Sequence, residues 1–296
     1  MWPFKKPKTR TQVPVTLHAR YDAAQSTREN IRHWAMADGL SADGAASSDV
    51  RMTLRQRARY EVANNSYAKG IILTLANDCV GTGPRLQVLT ADDVLNRKIE
   101  GAFGLWAHQV GLPAKLRTMR MAKSADGETF GILTGNRALW GPVKLDLHLV
   151  EADRVTTPHM KLLDENTIDG IELDSFGNPV RYYILRYHPG DLRAVLDDFD
   201  IIDSGAVIHW FRSDRPGQHR GIPEITPALP LFAQLRRYTL AVLGAAETAA
   251  DFAAVLFTDA PANGEAASVD PMDVVELEKR MATVLPDGWK PVQKHQ

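Results

Sequence analysis

The stretch from Arg212 to Asp259, RSDRPGQHRGIPEITPALPLFAQLRRYTLAVLGAAETAADFAAVLFTD, constrains the fold most. Gly217, Gly221, Pro223 and Pro227 punctuate its first part, so no helix runs cleanly through it. Thr226 followed by Pro227 reads as an N-cap and first-residue pair, and one helix is expected from there to about Ala254. Its first half is amphipathic through Leu229, Phe232, Leu235, Tyr238 and Val242. Its second half carries Gly244 with Ala245, Ala246, Ala249, Ala250, Ala253 and Ala254, small residues that let another backbone approach closely. A basic pair, Arg236 and Arg237, sits between the halves. The apolar run AVLFTD then reads as a short strand.

The rest of the chain divides by pattern. Residues 1–48 read as an arm, interrupted by Pro3, Pro7 and Pro14, with a short helix near Arg28–Asp38 and a small, polar stretch at SADGAASS. Ser48 and Asp49 open a helix whose apolar stripe runs through Leu54, Ala58, Val62, Ala68, Ile71, Ile72, Leu75 and Cys79. Gly70 is expected to bend or break it, and GTGP (Gly81–Pro84) ends it. Arg85–Leu89 reads as a strand and Ala91–Val110 as a helix, with Asp92 and Asp93 in its first turn. From Glu128 to Phe211 the period turns to strands: LDLHLV, a hairpin around Ser175–Asn178, and AVIHWF. Asp270–Met281 reads as a short helix and Trp289–Val292 as the start of a strand. The class is α+β.

Net charge is −1 over 296 residues, so the chain is not a generic polyanion binder. The charge is uneven: residues 1–120 carry 18 Lys/Arg against 10 Asp/Glu, and the remainder 17 against 26. Such asymmetry marks separate partner surfaces or solvated helix faces. The single cysteine, Cys79, excludes an intrachain disulfide, suits a reducing compartment, and lies on the helix stripe as a small core residue. The basic start MWPFKKPKTR lacks the apolar run of a secretory signal, and no stretch approaches a membrane span.

No motif reads as an active site. Ile201-Ile202-Asp203-Ser204-Gly205 has the form of an aspartic-protease turn, but that chemistry needs two carboxylates sharing a proton, and no second copy exists; the alternative is a turn between strands. His148, Glu151 and Asp153 lie close in sequence, yet His148 and Glu151 face opposite ways on a strand, so a solvated edge is preferred to a metal site. GTGPRL lacks the third glycine and the preceding strand of a dinucleotide fingerprint. No metal, cofactor or catalytic group is expected. Arg55, Arg57, Arg59 and Lys69, like Arg236 and Arg237, suit either phosphate contact or ion pairs.

The strings NIRHWAMADGLSADGAASSDVR, ARYEVANNSYAKGIILTLANDCVGTGPRL and VIHWFRSDRPGQHRGIPEITPAL, with the long helix, resemble the lambda-type portal proteins of tailed bacteriophages. The resemblance implies a ring, typically dodecameric, at one capsid vertex, with double-stranded DNA passing through its channel regardless of sequence. It implies an N-terminal arm over 1–48, a helical and β-rich wing over 49–222, the first stem helix over 223–254 and the start of the clip over 255–296. Arg236 and Arg237 become channel-facing candidates, and Ala245, Ala246, Ala249, Ala250 and Ala253 candidates for intersubunit contact. The implied partners are the terminase large subunit, head-completion or adaptor proteins, and the major capsid or scaffolding protein, with no membrane. The implied location is the virion, after assembly in the host cytoplasm. Lacking a P-loop, the chain is not the ATP-driven packaging motor. Family members continue with more clip, a second stem helix, a channel loop and a crown, so a chain ending at GWKPVQKHQ is expected to be C-terminally truncated. The rival readings are a stand-alone DNA-binding module, which needs a compact basic surface, and an aspartic-type hydrolase, which needs a second group converging on Asp203.

Overall fold

A single residue, Asn65, divides the first long helical region. Its backbone is extended, and its side-chain oxygen accepts from the Tyr67 amide, capping a new helix where the old one stops. The result is α2 (Ser48–Asn64) followed by α3 (Ser66–Val80). The expected break at Gly70 does not occur; that glycine lies inside α3, because one glycine in a helix costs less than a well-made cap gains. Gly81 ends α3 at φ 53°, as the GTGP stop anticipates.

The computed structural model describes residue 24 and residues 27–159, 164, 166–192, 198–251, 255–258 and 289–292. Most of the arm and the expected helix at Asp270–Met281 lie outside the described residues. Residues 28–36 form consecutive turns, not the helix expected there. Helix instead forms in the polar stretch, as α1 (Ala42–Ala45), because the Ser41 hydroxyl caps the Gly44 amide and Ala42 and Ala46 are buried. Residues 85–89 have no ladder partner among the described residues; the Val88 amide donates to Glu100 of α4 (Asp93–Gln109), and the next amide but one, that of Thr90, to Asn96. Asp92, expected inside the first turn, is instead the N-cap of α4, its carboxylate accepting from the Val94 and Leu95 amides.

One helix was not anticipated. α5 (Leu112–Asp126) starts after Gly111 at φ 63° and ends at Gly127. Lys115, Arg117, Arg120 and Lys123 interrupt its apolar spacing, which hid it from periodicity. It supports the strands. β1 (Glu128–Gly135) is the centre of a three-stranded antiparallel sheet between β2 (Leu145–Val150) and β7 (Val207–Phe211). A second antiparallel sheet orders β3 (Thr167–Ile168), β4 (Ile171–Leu173), β5 (Pro179–Leu185) and β6 (Phe199–Asp203). The β4–β5 hairpin turns at Ser175–Asn178, as the sequence indicates. Helices come in runs and strands in runs, which is the α+β class.

Three apolar clusters hold this body together. Phe130, Ile132, Val150, Val155, Ile171, Tyr182 and Ile184 join the two sheets. Ala107, Val110, Leu112, Met119 and Leu147 pack α4 and α5 on the first sheet. Ala58, Ile72, Ile225 and Leu229 attach the start of α6 (Leu229–Asp251), an unbroken helix. Thr226 does not cap it: its hydroxyl donates to the Pro223 carbonyl, and a single 3-10 turn over Thr226–Ala228 leads in. Cys79 is exposed rather than buried: it continues the stripe of Ala68, Ile72 and Ala76, but it lies in the last turn of α3, beyond the part of that stripe that is packed. β8 (Val255–Thr258) and β9 (Trp289–Val292) pair antiparallel, as both strand readings allow.

Backbone meets backbone where the connection to α6 crosses the α5–β1 junction. A Cβ on Gly127, whose φ is 92°, would lie 2.6 Å from the Pro223 nitrogen, and one on Gly221 would overlap the Gly127 carbonyl. Gly221→Ala is therefore expected to destabilise by about 2–4 kcal/mol, through overpacking that rigid backbone cannot relieve. Gly70→Ala, with open space around it, is expected to stabilise by about 0.5–1 kcal/mol. Urea denaturation of the two variants checks both signs.

Candidate functional site

Glu128, the first residue of β1, is fully buried, and so is Arg220. Gly127 turns the chain sharply at the end of α5 and thereby directs the Glu128 side chain inward, among α2, β7 and the segment leading to α6. Arg220 donates from Nε to Oε2 at 2.9 Å and from Nη2 to Oε1 at 2.6 Å, a bidentate pair. The Gly221 amide donates to Oε2 at 3.0 Å, Arg55 Nη1 to Oε1 at 3.3 Å, and His209 Nε2 lies 3.1 Å from Oε2. Arg220 also donates to the Val155 and Asp169 carbonyls and lies over the Phe130 ring. Asp169, at φ 37°, pairs through its carboxylate with both Arg51 and Arg220. A second tier follows: Asp153 takes Arg55 at 3.2 Å and Arg59 at 2.6 Å, and Asp126 takes Arg59 at 2.7 Å.

The electrostatics follow from burial. Burial alone would raise the Glu128 carboxyl; the Arg220 charge and the His209 and Arg220 hydrogen bonds outweigh it and hold the group well below the usual carboxylate range. Burial pushes the His209 imidazole down, partly offset by Glu128. Burial also raises Asp126, against the hydrogen bond and charge of Arg59. Arg51, buried and close to Arg220, is pushed down to about 9.

The structure distributes the candidate residues unequally. Arg55 and Arg59 belong to this buried network, while Arg57 and Lys69 face solvent. Arg236 is drawn into an ion pair with Glu61 at 3.1 Å and lies over the Tyr60 ring; Arg237 is exposed. Ala245 and Ala246 are exposed. Ala249 and Ala250 lie on α6, but their side chains, like all of Ala253, fall outside what is described. Asp203 is exposed at the corner between β6 and β7, opposite Arg181 in register. His148 is exposed on β2 and lines an open depression of about 720 Å³ with Lys115, Asn136 and Arg137. His188, not His148, comes to Glu151 (3.3 Å) and Asp153 (3.8 Å). Arg55 and Arg59 already occupy the Asp153 carboxylate, so this trio is short of free ligand charge for a metal. Sequence reading missed Glu128 and Arg220. The available signal was the spacing of Arg51 and Arg55, which share the core-facing stripe of α2 with Ala58.

Beyond its docked start, α6 presents apolar side chains to solvent. Leu231 is 62%, Tyr238 69%, Leu240 63% and Leu243 54% exposed. Exposed apolar surface on this scale marks an interaction surface. No helix among the described residues is long and apolar enough to cross a membrane.

Among the described residues, a helical and antiparallel body leads into one long helix whose apolar side chains beyond Arg236 are largely exposed. Residues 28–294 match the family described as phage portal protein, lambda family, and the chain belongs to that family. It is also similar to the protein named "Probable portal protein" of Halomonas phage phiHAP-1, 27% identical over 299 residues. The match covers 92% of this chain and 57% of that protein, so the chain spans little more than half the relative's length.

The shifts of Glu128 and His209 set a pH dependence. Glu128 has a folded-state value below its ordinary one, so its contribution is present above the usual carboxylate range and is lost as pH falls through the depressed value. His209 is also held below its ordinary value, so protonation favours the unfolded chain. Asp126, raised, acts in the opposite sense. Thermal stability is expected to decline on acidification from about pH 6.5, and more steeply below about pH 4.5. His209→Gln should remove the upper part of that decline in melts recorded from pH 4 to 8. Glu128→Gln, which leaves Arg220 buried without its counter-charge, is expected to cost about 3–5 kcal/mol in urea denaturation.

Proposed function

We propose that the chain supplies the wing, the first stem helix and the start of the clip of a portal subunit. Copies of it form a ring channel at one capsid vertex through which double-stranded DNA is packaged and ejected. The observation that carries this reading is the distribution of apolar residues around α6. At about 100° per residue, Leu229, Phe232, Arg236, Leu240 and Leu243 share one stripe, and Leu231, Leu235, Tyr238 and Val242 share a second, roughly 130° around the helix. Only the start of the first stripe is buried on the wing; the remainder and the whole second stripe are exposed. A helix with two separate apolar stripes fits between two neighbours. Contact of one stripe with the other stripe of the next copy is heterologous, and such contacts close into rings.

Ala245, and by spacing Ala249 and Ala253, continue the second stripe, where small residues permit close approach. Ala246 and Ala250 flank it. Arg237 lies in the sector between the stripes, with Gln234, Ala241 and Gly244, all without large apolar groups. That sector is the candidate channel face, and among the described residues Arg237 is its cation without an ion pair, since Arg236 is engaged by Glu61. The clip, to which β8 and β9 belong in this reading, would meet the terminase large subunit and later the head-completion or adaptor proteins. The wing would meet the major capsid or scaffolding protein. The subunit acts at the capsid portal vertex, after assembly in the host cytoplasm.

The purified full-length gene product is expected to give rings in negative-stain images, far larger than one 32.8 kDa chain. Ala245→Trp should leave circular dichroism unchanged but block ring formation, by overpacking that costs about 1–3 kcal/mol at each repeated contact. Normal rings from that variant would place the stem contacts elsewhere. DNA binding should be independent of sequence, because a channel must let every sequence slide. A preference of more than about tenfold, roughly 1.4 kcal/mol, between unrelated duplexes would count against the reading.

A further inference from the structure

The segment Arg212–Ile225 has the composition of a hinge, yet it divides into two unlike parts. Arg212–Gly217 is exposed. From Gln218 to Ile225 every residue is buried or half-buried. Successive residues of this second part are tied to different elements. The Gln218 amide oxygen accepts from the Asp214 amide, and its Nε2 donates to the Arg220 carbonyl. The His219 amide and ring both meet the Asp43 carboxylate of α1, at 2.9 and 2.7 Å. Arg220 and the Gly221 amide converge on Glu128. The Glu224 amide donates to the Ser124 carbonyl at 3.0 Å, and its carboxylate takes Arg120 at 2.8 Å, Lys123 at 3.3 Å and the Ser124 hydroxyl. The backbones of Gly127 and Gly221 touch with no room for a Cβ on either.

We infer that Gln218–Ile225 is a rigid key rather than a hinge, and that Arg220 and Glu128 are positioning residues that set the direction of α6 against the wing. A hinge needs residues free to change φ and ψ at low cost. Here any swing of α6 about this segment withdraws a fully buried guanidinium from a fully buried carboxylate, which exposes neither charge to water until the key has left its slot. Conformational change in the stem is thereby confined to α6 beyond Arg236, where contacts with the wing end, or to the contacts between copies. The inference takes only the word "stem" from the portal reading. The geometry belongs to one protomer, and its test does not depend on whether rings form.

The test is a distance measurement by pulsed electron paramagnetic resonance in a Cys79→Ser background of the full chain, with labelled protein diluted into unlabelled protein. One spin-label pair, at Arg57→Cys on α2 and Gln234→Cys on α6, reports the wing-to-helix geometry. A second, at Arg57→Cys and Arg137→Cys, reports the wing alone. The unsubstituted key is expected to give one narrow Arg57–Gln234 distribution. Arg220→Ala should broaden it at least about twofold while the wing pair stays narrow. Arg220→Lys, which keeps the charge but loses the two-pronged donor, should broaden it less, and it serves if the alanine variant does not fold. Hydrogen exchange of the parent protein gives an independent readout, with the amides of Gly221 and Glu224 protected like those of β1. A broad distribution in the parent, or fast exchange at those amides, would overturn the rigid key. A distribution that stays narrow in both Arg220 variants would overturn the role given to Arg220 and Glu128.

Discussion

The pairing of Glu128 with Arg220 is the interaction on which the rest of the structure depends. It joins the first residue of the central strand to the segment that launches the long helix, and it does so with both side chains fully buried. A buried ion pair is weak evidence of stability, because desolvation offsets most of the attraction. What it supplies is register. The carboxylate accepts from a guanidinium, a backbone amide and a second arginine, with an imidazole at its other oxygen, and few other placements of the chain satisfy all of them. The network then extends through Asp169, Asp153 and Asp126 to Arg51, Arg55 and Arg59, so that α2, both sheets and the connection to α6 share one set of charges.

This arrangement explains why basic residues that look like a phosphate-binding face are not one. Arg51, Arg55 and Arg59 lie at steps of four along α2, and a solvated face with that spacing would present a strip of positive charge. Instead they turn toward acidic residues that come from α5, β1 and the loops after β2 and β3, far away in sequence. Cations near DNA contribute by releasing counterions from phosphates. Cations already neutralised inside the protein have little left to contribute. The same logic separates Arg236, paired with Glu61, from its neighbour Arg237.

The long helix shows the opposite economy. Its first turns are stabilised by the helical and β-rich body through Leu229 and Phe232, and beyond Arg236 it presents leucine, tyrosine and valine to water. Burial of such side chains is worth about 1.5–3 kcal/mol each, so covering them would recover a large favourable term. Membership of the lambda portal family accounts for a chain organised in this way.

Local grammar determined much of this protein. The GTGP stop after α3, the acidic start of α4, the β4–β5 turn and the unbroken course of α6 are all legible because neighbouring residues decide them. The long strings of the wing and stem carried the family resemblance for the same reason. Tertiary structure decided what depends on distant partners. It placed the helix break at Asn65 rather than Gly70, revealed α5 beneath its lysines and arginines, left Cys79 exposed, and exchanged His148 for His188 beside Glu151. Above all it brought Glu128 to Arg220, 92 positions apart in the chain. Spacing along a chain reports which residues share a face of their own element. It says nothing of which charge from another element will meet them, because that is fixed only when sheets and helices pack and water is excluded between them.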